Sequence, residues 1–250
     1  MAVRTLLVLS KLHNLHTRAI DFTLEFPQAD IKVSIYLHTP QGIIFNDQEN
    51  VVLKLIKNLY GLKDAGCTWW EYLSDGLKDM GFKQCQADQC VFKRGDTIIL
   101  IYVDDCVILS KNEGSITDIM EELRARYGIT DEGKMEEYLG IKLEHSKSTI
   151  RMSQPLLINR IIDAIPGMDK SHPVKYPALP SVILTKDETG PERRESWKYR
   201  SVVGMLNFLV NSTHPELSYA VNQCARFCND PKLSHERVVK RVVQYFRGIG

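Results

Sequence analysis

Apolar positions recur along this chain with two periods, and they divide it into helices and strands before any chemistry is considered. From Val3 to His16, Leu6, Leu9, Leu12 and Leu15 keep helical spacing. The period then changes. Ile20, Phe22, Leu24 and Phe26 alternate with Asp21, Thr23 and Glu25, which predicts a strand. Ser34 to Leu37 and Val51 to Ile56 read as further strands, separated by a loop with Pro40, Gly42, Asn46 and Asp47. Trp69, Trp70, Leu73 and Leu77 predict a helix from Trp69 to Met80, stopped by Gly81. Two β runs, Cys90 to Lys93 and Thr97 to Val103, meet at Gly95-Asp96, a hairpin signal. A third run, Cys106 to Leu109, follows directly. Ile116 to Tyr127 reads as a helix, Tyr138 to Leu143 and Thr149 to Met152 as strands, and Pro155 to Ile165 as another helix.

Between 166 and 191 the chain changes character, with Pro166, Pro173, Pro177, Pro180 and Pro191 beside Gly167 and Gly190. Such punctuation marks a domain boundary or an extended linker. Beyond it, helical patterns run from Trp197 to Asn211, Glu216 to Phe227 and Ser234 to Phe246. The pattern therefore predicts an α+β body followed by a small helical unit, and 250 residues suffice for one large domain or two smaller ones. The longest apolar stretches, such as Thr97 to Val103, are far too short to span a bilayer, and the first residues lack a cleavage pattern. No membrane partner and an intracellular location are expected. Six cysteines without a CxxC fit reduced thiols rather than a disulfide framework. Cys224 and Cys228, with His214 and His235 nearby in sequence, leave a zinc site open, although such residues more often pack quietly. A formal net charge of +1 neither demands nor excludes nucleic acid. The basic end (Arg226, Lys232, Arg237, Lys240, Arg241, Arg247) could meet a phosphate backbone or simply form a solvated helix face.

The sharpest chemical feature is Tyr102-Val-Asp-Asp105, enclosed by Ile98 to Ile101 before and Cys106 to Leu109 after. Consecutive apolar residues mean strands covered on both faces. An Asp-Asp turn between them would bring a carboxylate pair to the end of the core. Asp is also a common turn residue, and a surface hairpin needs no catalysis. A second acid changes that balance: Asp21 sits in an otherwise apolar strand. Carboxylates converging from neighbouring strands repel unless a cation neutralises them. Hard oxygen ligands suit Mg2+, which keeps waters and borrows phosphate oxygens. Two such ions clamp the attacking and leaving oxygens of a phosphoryl displacement. Glu25 lies on the same strand face, but straight β geometry puts it ~13 Å along from Asp21, too far to share those ions.

Read together, Ile20-Asp-Phe-Thr-Leu-Glu-Phe-Pro-Gln-Ala29, Leu59-Tyr-Gly-Leu-Lys-Asp-Ala65, Tyr102-Val-Asp-Asp105, Tyr138-Leu-Gly-Ile141 and Tyr199-Arg-Ser-Val-Val-Gly204 resemble the copia-type reverse transcriptases. So does Ser218-Tyr-Ala-Val-Asn222 followed by Ala225-Arg-Phe227. The blocks keep the family's order over nearly the whole chain. The resemblance implies a ferredoxin-like polymerase palm, an antiparallel sheet backed by helices near Trp69 to Met80 and Ile116 to Tyr127. It implies a palm with partial fingers over 1–153, a thumb-like helix and Pro-rich linker over 154–195, and a helical connection region over 196–250. By the same resemblance, Asp21, Asp104 and Asp105 hold two Mg2+ ions, or Mn2+ in their place. A primer 3′-hydroxyl then attacks the α-phosphate of a dNTP on an RNA or DNA template. Phe26 matches the aromatic that crowds the sugar 2′ position, provided the strand bends near Glu25; on pattern alone it serves equally as a core aromatic. Tyr60, Gly61 and Lys63 match the segment lining nucleotide and template. Tyr102 matches a primer contact, and Tyr138, Leu139 and Gly140 match the turn that grips the primer end.

Several positions depart from the family's usual residues: Glu25 for a small residue, Asp64 for Gln, Gly66 and Cys67 for Pro and Arg, and His214 for Arg. The chain starts just before the first palm strand and stops about where an RNase H domain would begin. A truncated retrotransposon element is therefore expected, in the cytoplasm within a virus-like particle or in the nucleus. Two other functions stay open. A non-catalytic remnant would bind nucleic acid or a partner indifferently to Asp104→Asn. A carboxylate-metal nuclease would hydrolyse nucleic acid without dNTPs, which the Tyr-Val-Asp-Asp hairpin argues against.

Overall fold

The computed structural model describes residues 2–40, 42, 51–146, 149–178, 183–193 and 197–248. The loop positions Asn46 and Asp47, and Pro180 of the proline-rich stretch, lie outside the described residues. The chain divides into two compact units, residues 1–136 with 146–150, and residues 137–145 with 151–250.

The first unit opens with helix α1 (Ala2–Leu12). Its buried face is Leu6, Leu7 and Ser10, not the expected leucine stripe, and Leu12 is 70% exposed. The helix ends before Leu15, and Asn14 turns the chain at φ 50°. Ser10 can be buried because its hydroxyl donates to the Leu7 carbonyl at 2.7 Å. Strand β1 (His16–Phe22) follows and stops four residues earlier than the alternation predicts. There the Thr23 N–H turns to the Gly128 carbonyl, Leu24 takes φ 51°, and the chain enters a single helical turn, α2 (Glu25–Gln28). Gln28 fixes this departure, donating to the carbonyls of Thr23 (2.7 Å) and Gly128 (3.0 Å) while accepting from Gly128 N–H.

Strands β2 (Tyr36–His38) and β3 (Val52–Lys54) form a two-stranded sheet. Helix α3 (Ala65–Asp79) precedes β4 (Lys83–Gln84), β5 (Val91–Arg94), β6 (Thr97–Tyr102) and β7 (Asp105–Ser110). Helix α4 (Glu113–Arg126) and strand β8 (Ile129–Gly133) complete the unit's main body. Helix α4 begins before its first apolar residue because the Asn112 side chain accepts the Gly114 N–H at 2.8 Å, an N-cap. The six-stranded sheet has the order β4-β5-β6-β7-β1-β8, with antiparallel neighbours throughout. Strand β8 shows no alternation in sequence, since Thr130, Asp131 and Glu132 are exposed at the sheet's edge. One core joins sheet and helices: Ile20, Phe22, Ile99, Ile101 and Ile108 pack with Trp69, Leu73 and Leu77 of α3 and Ile119 and Leu123 of α4. This is the α+β architecture the sequence predicts, an antiparallel sheet backed by the two expected helices.

In the second unit, strands β9 (Glu137–Tyr138), β10 (Ile141–His145) and β11 (Ile150–Ser153, whose first residue groups with the other unit) form a three-stranded sheet. Tyr138 to Leu143 is thus a hairpin rather than one strand, turned at Leu139 and Gly140 with φ 52° and 71°. Helices α5 (Pro155–Asp163), α6 (Tyr199–Ser212), α7 (Ser218–Ala225) and α8 (Leu233–Phe246) share one apolar core. Met168 and Leu184 from the proline-rich stretch are buried in that core. The basic end is largely engaged within the unit. Lys232 pairs with Glu192 and Asp230, Lys240 with Glu236, and Arg247 donates to the carbonyls of Met168 and Ser171. Among the described residues, no helix is long and apolar enough to cross a membrane.

Candidate active site

Strands β6 and β7 pair with Tyr102 opposite Asp105, so the hairpin loop is Val103-Asp104, one residue earlier than the expected Asp-Asp turn. Asp105 is the first residue of β7 and lies opposite Asp21 of β1. Directly paired residues of antiparallel strands project on the same face, which puts Asp21 and Asp105 together at the sheet's end. The loop is unusual. Val103 adopts φ 60°, a conformation that β-branched residues rarely take.

Two hydrogen bonds hold this loop. The indole N–H of Trp69, itself 2% exposed, donates to the Val103 carbonyl at 3.0 Å. The backbone N–H of Phe22, next to Asp21, donates to the Asp104 carbonyl at 3.2 Å. Phe22, Trp69 and Tyr127 meet edge to face beneath, with ring centroids 5.2 to 6.1 Å apart. An aromatic pair of this geometry adds roughly 0.5–1.5 kcal/mol beyond its buried area. Apolar packing in the core therefore fixes where Asp104 stands relative to Asp21. The role of Trp69 was not read from sequence, where it appears only as one apolar position on a helix. A buried indole needs a partner for its N–H, and that is the signal available for it.

The acids feel one another. Burial first, then the charges of Asp104 and Glu25, hold the Asp21 carboxyl above the ordinary carboxylate range. The charge of Glu25 reaches Asp21 because the chain folds back at Leu24, so the straight-strand separation of ~13 Å does not apply. Glu25 is 4% exposed, and its Oε2 accepts a hydrogen bond from the Tyr60 hydroxyl at 2.6 Å. That bond is the main reason the Tyr60 phenol is pushed up to about 12. The Phe26 and Tyr60 rings meet edge to face at 4.8 Å. The bend required for Phe26 to come toward the acids is present, and Phe26, Tyr60, Glu25 and Asp21 form one neighbourhood. Among the described residues, no three His, Cys, Asp or Glu side chains stand close enough to hold a metal ion by themselves. The donor chemistry still suits a hard divalent cation: two mutually repelling carboxylates, with water and phosphate oxygens to complete the shell.

The family description "Reverse transcriptase (RNA-dependent DNA polymerase)" matches residues 1–180. The chain belongs to that family. It is 30% identical over 259 residues to the retrovirus-related Pol polyprotein from transposon TNT 1-94 of Nicotiana tabacum, covering 99% of this chain and 19% of that protein. It is 32% identical over 235 residues to the corresponding polyprotein from transposon RE1 of Arabidopsis thaliana, covering 92% of this chain and 16% of the other. A Ty5-1 transposon protein of Saccharomyces cerevisiae is 25% identical over 90% of this chain and 74% of its own length. The chain thus spans less than a fifth of the plant polyproteins it matches, and it is a copia-type reverse transcriptase segment. A telomerase structure from Candida albicans, in complex with a fragment of telomeric RNA, aligns over 93% of this chain and 44% of its own. At 8% identity and a TM-score of 0.32 it carries no weight for the fold.

The remaining residues singled out from this reverse transcriptase sequence fall in separate places. Gly61 follows Tyr60 at φ 88° and is exposed, as is Lys63. Lys63 lines a cavity of about 260 Å3 together with Asn58, Asp64 and Thr68. Tyr102 is exposed at the end of β6. Tyr138 is buried, and Leu139 and Gly140 form their hairpin turn, all in the second unit. Cys224 and Cys228 do not gather with the histidines. His235 accepts the Lys232 N–H at Nδ1 and meets the Thr185 carbonyl at Nε2, while His214 contacts Glu216.

Proposed function

We propose that this reverse transcriptase segment is the polymerase core of a retrotransposon polyprotein and transfers dNMP from dNTP to a primer 3′-hydroxyl on an RNA or DNA template. The observation that supports it most is the carboxylate pair Asp21 and Asp104, brought within range of each other's charge by a loop that Trp69 and Phe22 pin. Asp21 and Asp104, joined by Asp105, would hold two Mg2+ ions (Mn2+ in their place), which when bound neutralise charge on the attacking and leaving oxygens. In this reading the primer 3′-hydroxyl gives up its proton to solvent, its oxygen bonds to the α-phosphorus, the bond from that phosphorus to the bridging oxygen breaks, and pyrophosphate leaves. Phe26 stands against the sugar, and Tyr60, Gly61 and Lys63 line the nucleotide. Tyr102 and the Tyr138-Leu139-Gly140 hairpin contact the primer. Residues 1–153 would then serve as palm with partial fingers, 154–195 as a thumb-like element and 196–250 as connection. Such a protein would work in a cytoplasmic virus-like particle or in the nucleus.

A second reading is a folded remnant that binds nucleic acid or a partner without catalysis. The absence of a ready-made three-acid group among the described residues favours it. Primer extension on poly(rA)/oligo(dT) with Mg2+ separates the two. Extension that disappears in Asp104→Asn is expected. Extension that survives in Asp104→Asn would defeat the carboxylate assignment, and none by the folded parent chain would favour the remnant.

A further inference from the structure

Glu25 is an acid buried beside other acids, where a carboxylate is costly unless hydrogen-bonded. Its partner is the Tyr60 hydroxyl, 2.6 Å from Oε2. Tyr60 is 56% exposed, so burial does little to fix its ring. Two contacts do: the bond to Glu25, and the edge contact with Phe26 at 4.8 Å and 62°. Glu25 and Phe26 are consecutive residues of α2, entered through the left-handed turn at Leu24. The three side chains therefore form a closed triangle. Glu25 anchors Tyr60, Tyr60 backs Phe26, and α2 ties Phe26 to Glu25.

We infer that Glu25 is a positioning residue for sugar selection, holding the Tyr60 ring so that Phe26 cannot retreat from the 2′ position of a bound nucleotide. This rests on the reading of Phe26 as the wall of the sugar site. A half-buried aromatic ring on a single helical turn has room to swing, and a wall that swings by about the radius of an oxygen admits a ribose. Replacing Glu25 leaves the Tyr60 hydroxyl to water and frees the ring. Removing only the hydroxyl, by Tyr60→Phe, also frees the ring and keeps Glu25 in place, although its buried carboxylate loses this donor. The relevant difference is the ordered Phe26–Tyr60 contact, and losing an edge-to-face pair changes an equilibrium by up to roughly tenfold.

The test is equilibrium binding of dATP and of ATP, with Mg2+ and a primer–template whose next template base is thymine. The parent chain is compared with Tyr60→Phe, Glu25→Ala and Glu25→Gln, each checked by circular dichroism for retained fold. The dissociation constant for ATP divided by that for dATP should fall about two- to tenfold in Tyr60→Phe and Glu25→Ala. Glu25→Gln still offers the hydroxyl an acceptor and should keep the parent ratio. An unmoved ratio in Tyr60→Phe overturns the inference, even if Glu25→Ala fails to fold. A fall in Glu25→Gln as large as in Glu25→Ala overturns it too, because charge rather than position would be the cause. A parent that prefers dATP while no variant changes the ratio defeats this inference alone. A parent that binds neither nucleotide defeats the polymerase reading and this inference with it.

Discussion

Trp69→Phe tests how the core holds the acids. The substitution keeps an aromatic ring in the cluster with Phe22 and Tyr127 but removes the N–H that bonds the Val103 carbonyl at 3.0 Å. Loss of that bond costs about 1 kcal/mol net; the carbonyl sits on a loop open to water, so the low end of the unsatisfied-group penalty applies. The ring atoms removed from a fully packed site add roughly 1–2 kcal/mol. The expected destabilisation is therefore about 2–3 kcal/mol. Trp70→Phe, at a half-buried neighbour, is the control and should cost under about 1 kcal/mol. A second effect follows from backbone strain. Val103 at φ 60° stores roughly 1–3 kcal/mol and persists only while its surroundings enforce it. With the anchor gone the loop relaxes and Asp104 moves off Asp21. The Asp21 carboxyl, raised partly by Asp104, should then titrate closer to its ordinary 3.8. Urea denaturation gives the first quantity, and carboxyl carbon shifts in metal-free protein give the second. If Trp69→Phe lies within about 0.5 kcal/mol of Trp70→Phe and Asp21 titrates as in the parent, Trp69 does not position the loop.

Three further outcomes are expected. Asp21 binds a proton more readily folded than unfolded, so its contribution to stability is complete below pH 3.8 and is lost as pH rises through the raised value. Metal-free Asp21→Asn should accordingly exceed the parent in stability at pH 7, with the gain shrinking toward pH 3, as read by denaturation at both. A Cβ at Gly76 would come 1.7 Å from the Tyr127 hydroxyl, so Gly76→Ala should cost about 1–3 kcal/mol. Adding Tyr127→Phe should recover part of that loss in a double-mutant cycle. Glu236 is 1% exposed between Arg193 at 3.2 Å and Lys240 at 3.1 Å. Its replacement by Ala leaves two partly buried cations and should cost about 3–5 kcal/mol in urea denaturation.

The sequence made the elements legible wherever one face is apolar. Helix α3 and strands β5, β6 and β7 fall within a few residues of the predicted runs because burial itself writes the period. What escaped was decided by backbone bonds and single side chains. Alternation continues through Leu24 and Phe26, but Gln28 and Gly128 bond the chain out of the sheet, so β1 ends at Phe22. Strand β8 pairs with β1 at the sheet's edge, sends only Ile129 toward the core, and carries no apolar alternation. Asp21, Asp104 and Asp105 could be singled out because acids in apolar runs are improbable without a use. Trp69 could not, since a Trp on an apolar stripe is ordinary; Glu25 stood out as a departure from the family's small residue, but straight-strand spacing hid its bond to Tyr60.

The strained positions give an independent measure of where this fold serves something besides stability. Among the described residues, four non-glycine residues have positive φ: Asn14, Leu24, Val103 and Leu139. Asparagine tolerates that conformation; leucine and valine do so at roughly 1–3 kcal/mol each. A sequence selected for folding alone would place Gly or Asn at all four. The three apolar exceptions adjoin three of the segments proposed for chemistry: Leu24 before Glu25 and Phe26, Val103 before Asp104, and Leu139 between Tyr138 and Gly140. Each of them carries its neighbour out of the line its strand would impose, and at Leu24 and Val103 side-chain bonds from Gln28 and Trp69 secure the result. Strain that is held in place by dedicated bonds, beside the acids and Phe26, is what a site built for geometry rather than stability requires.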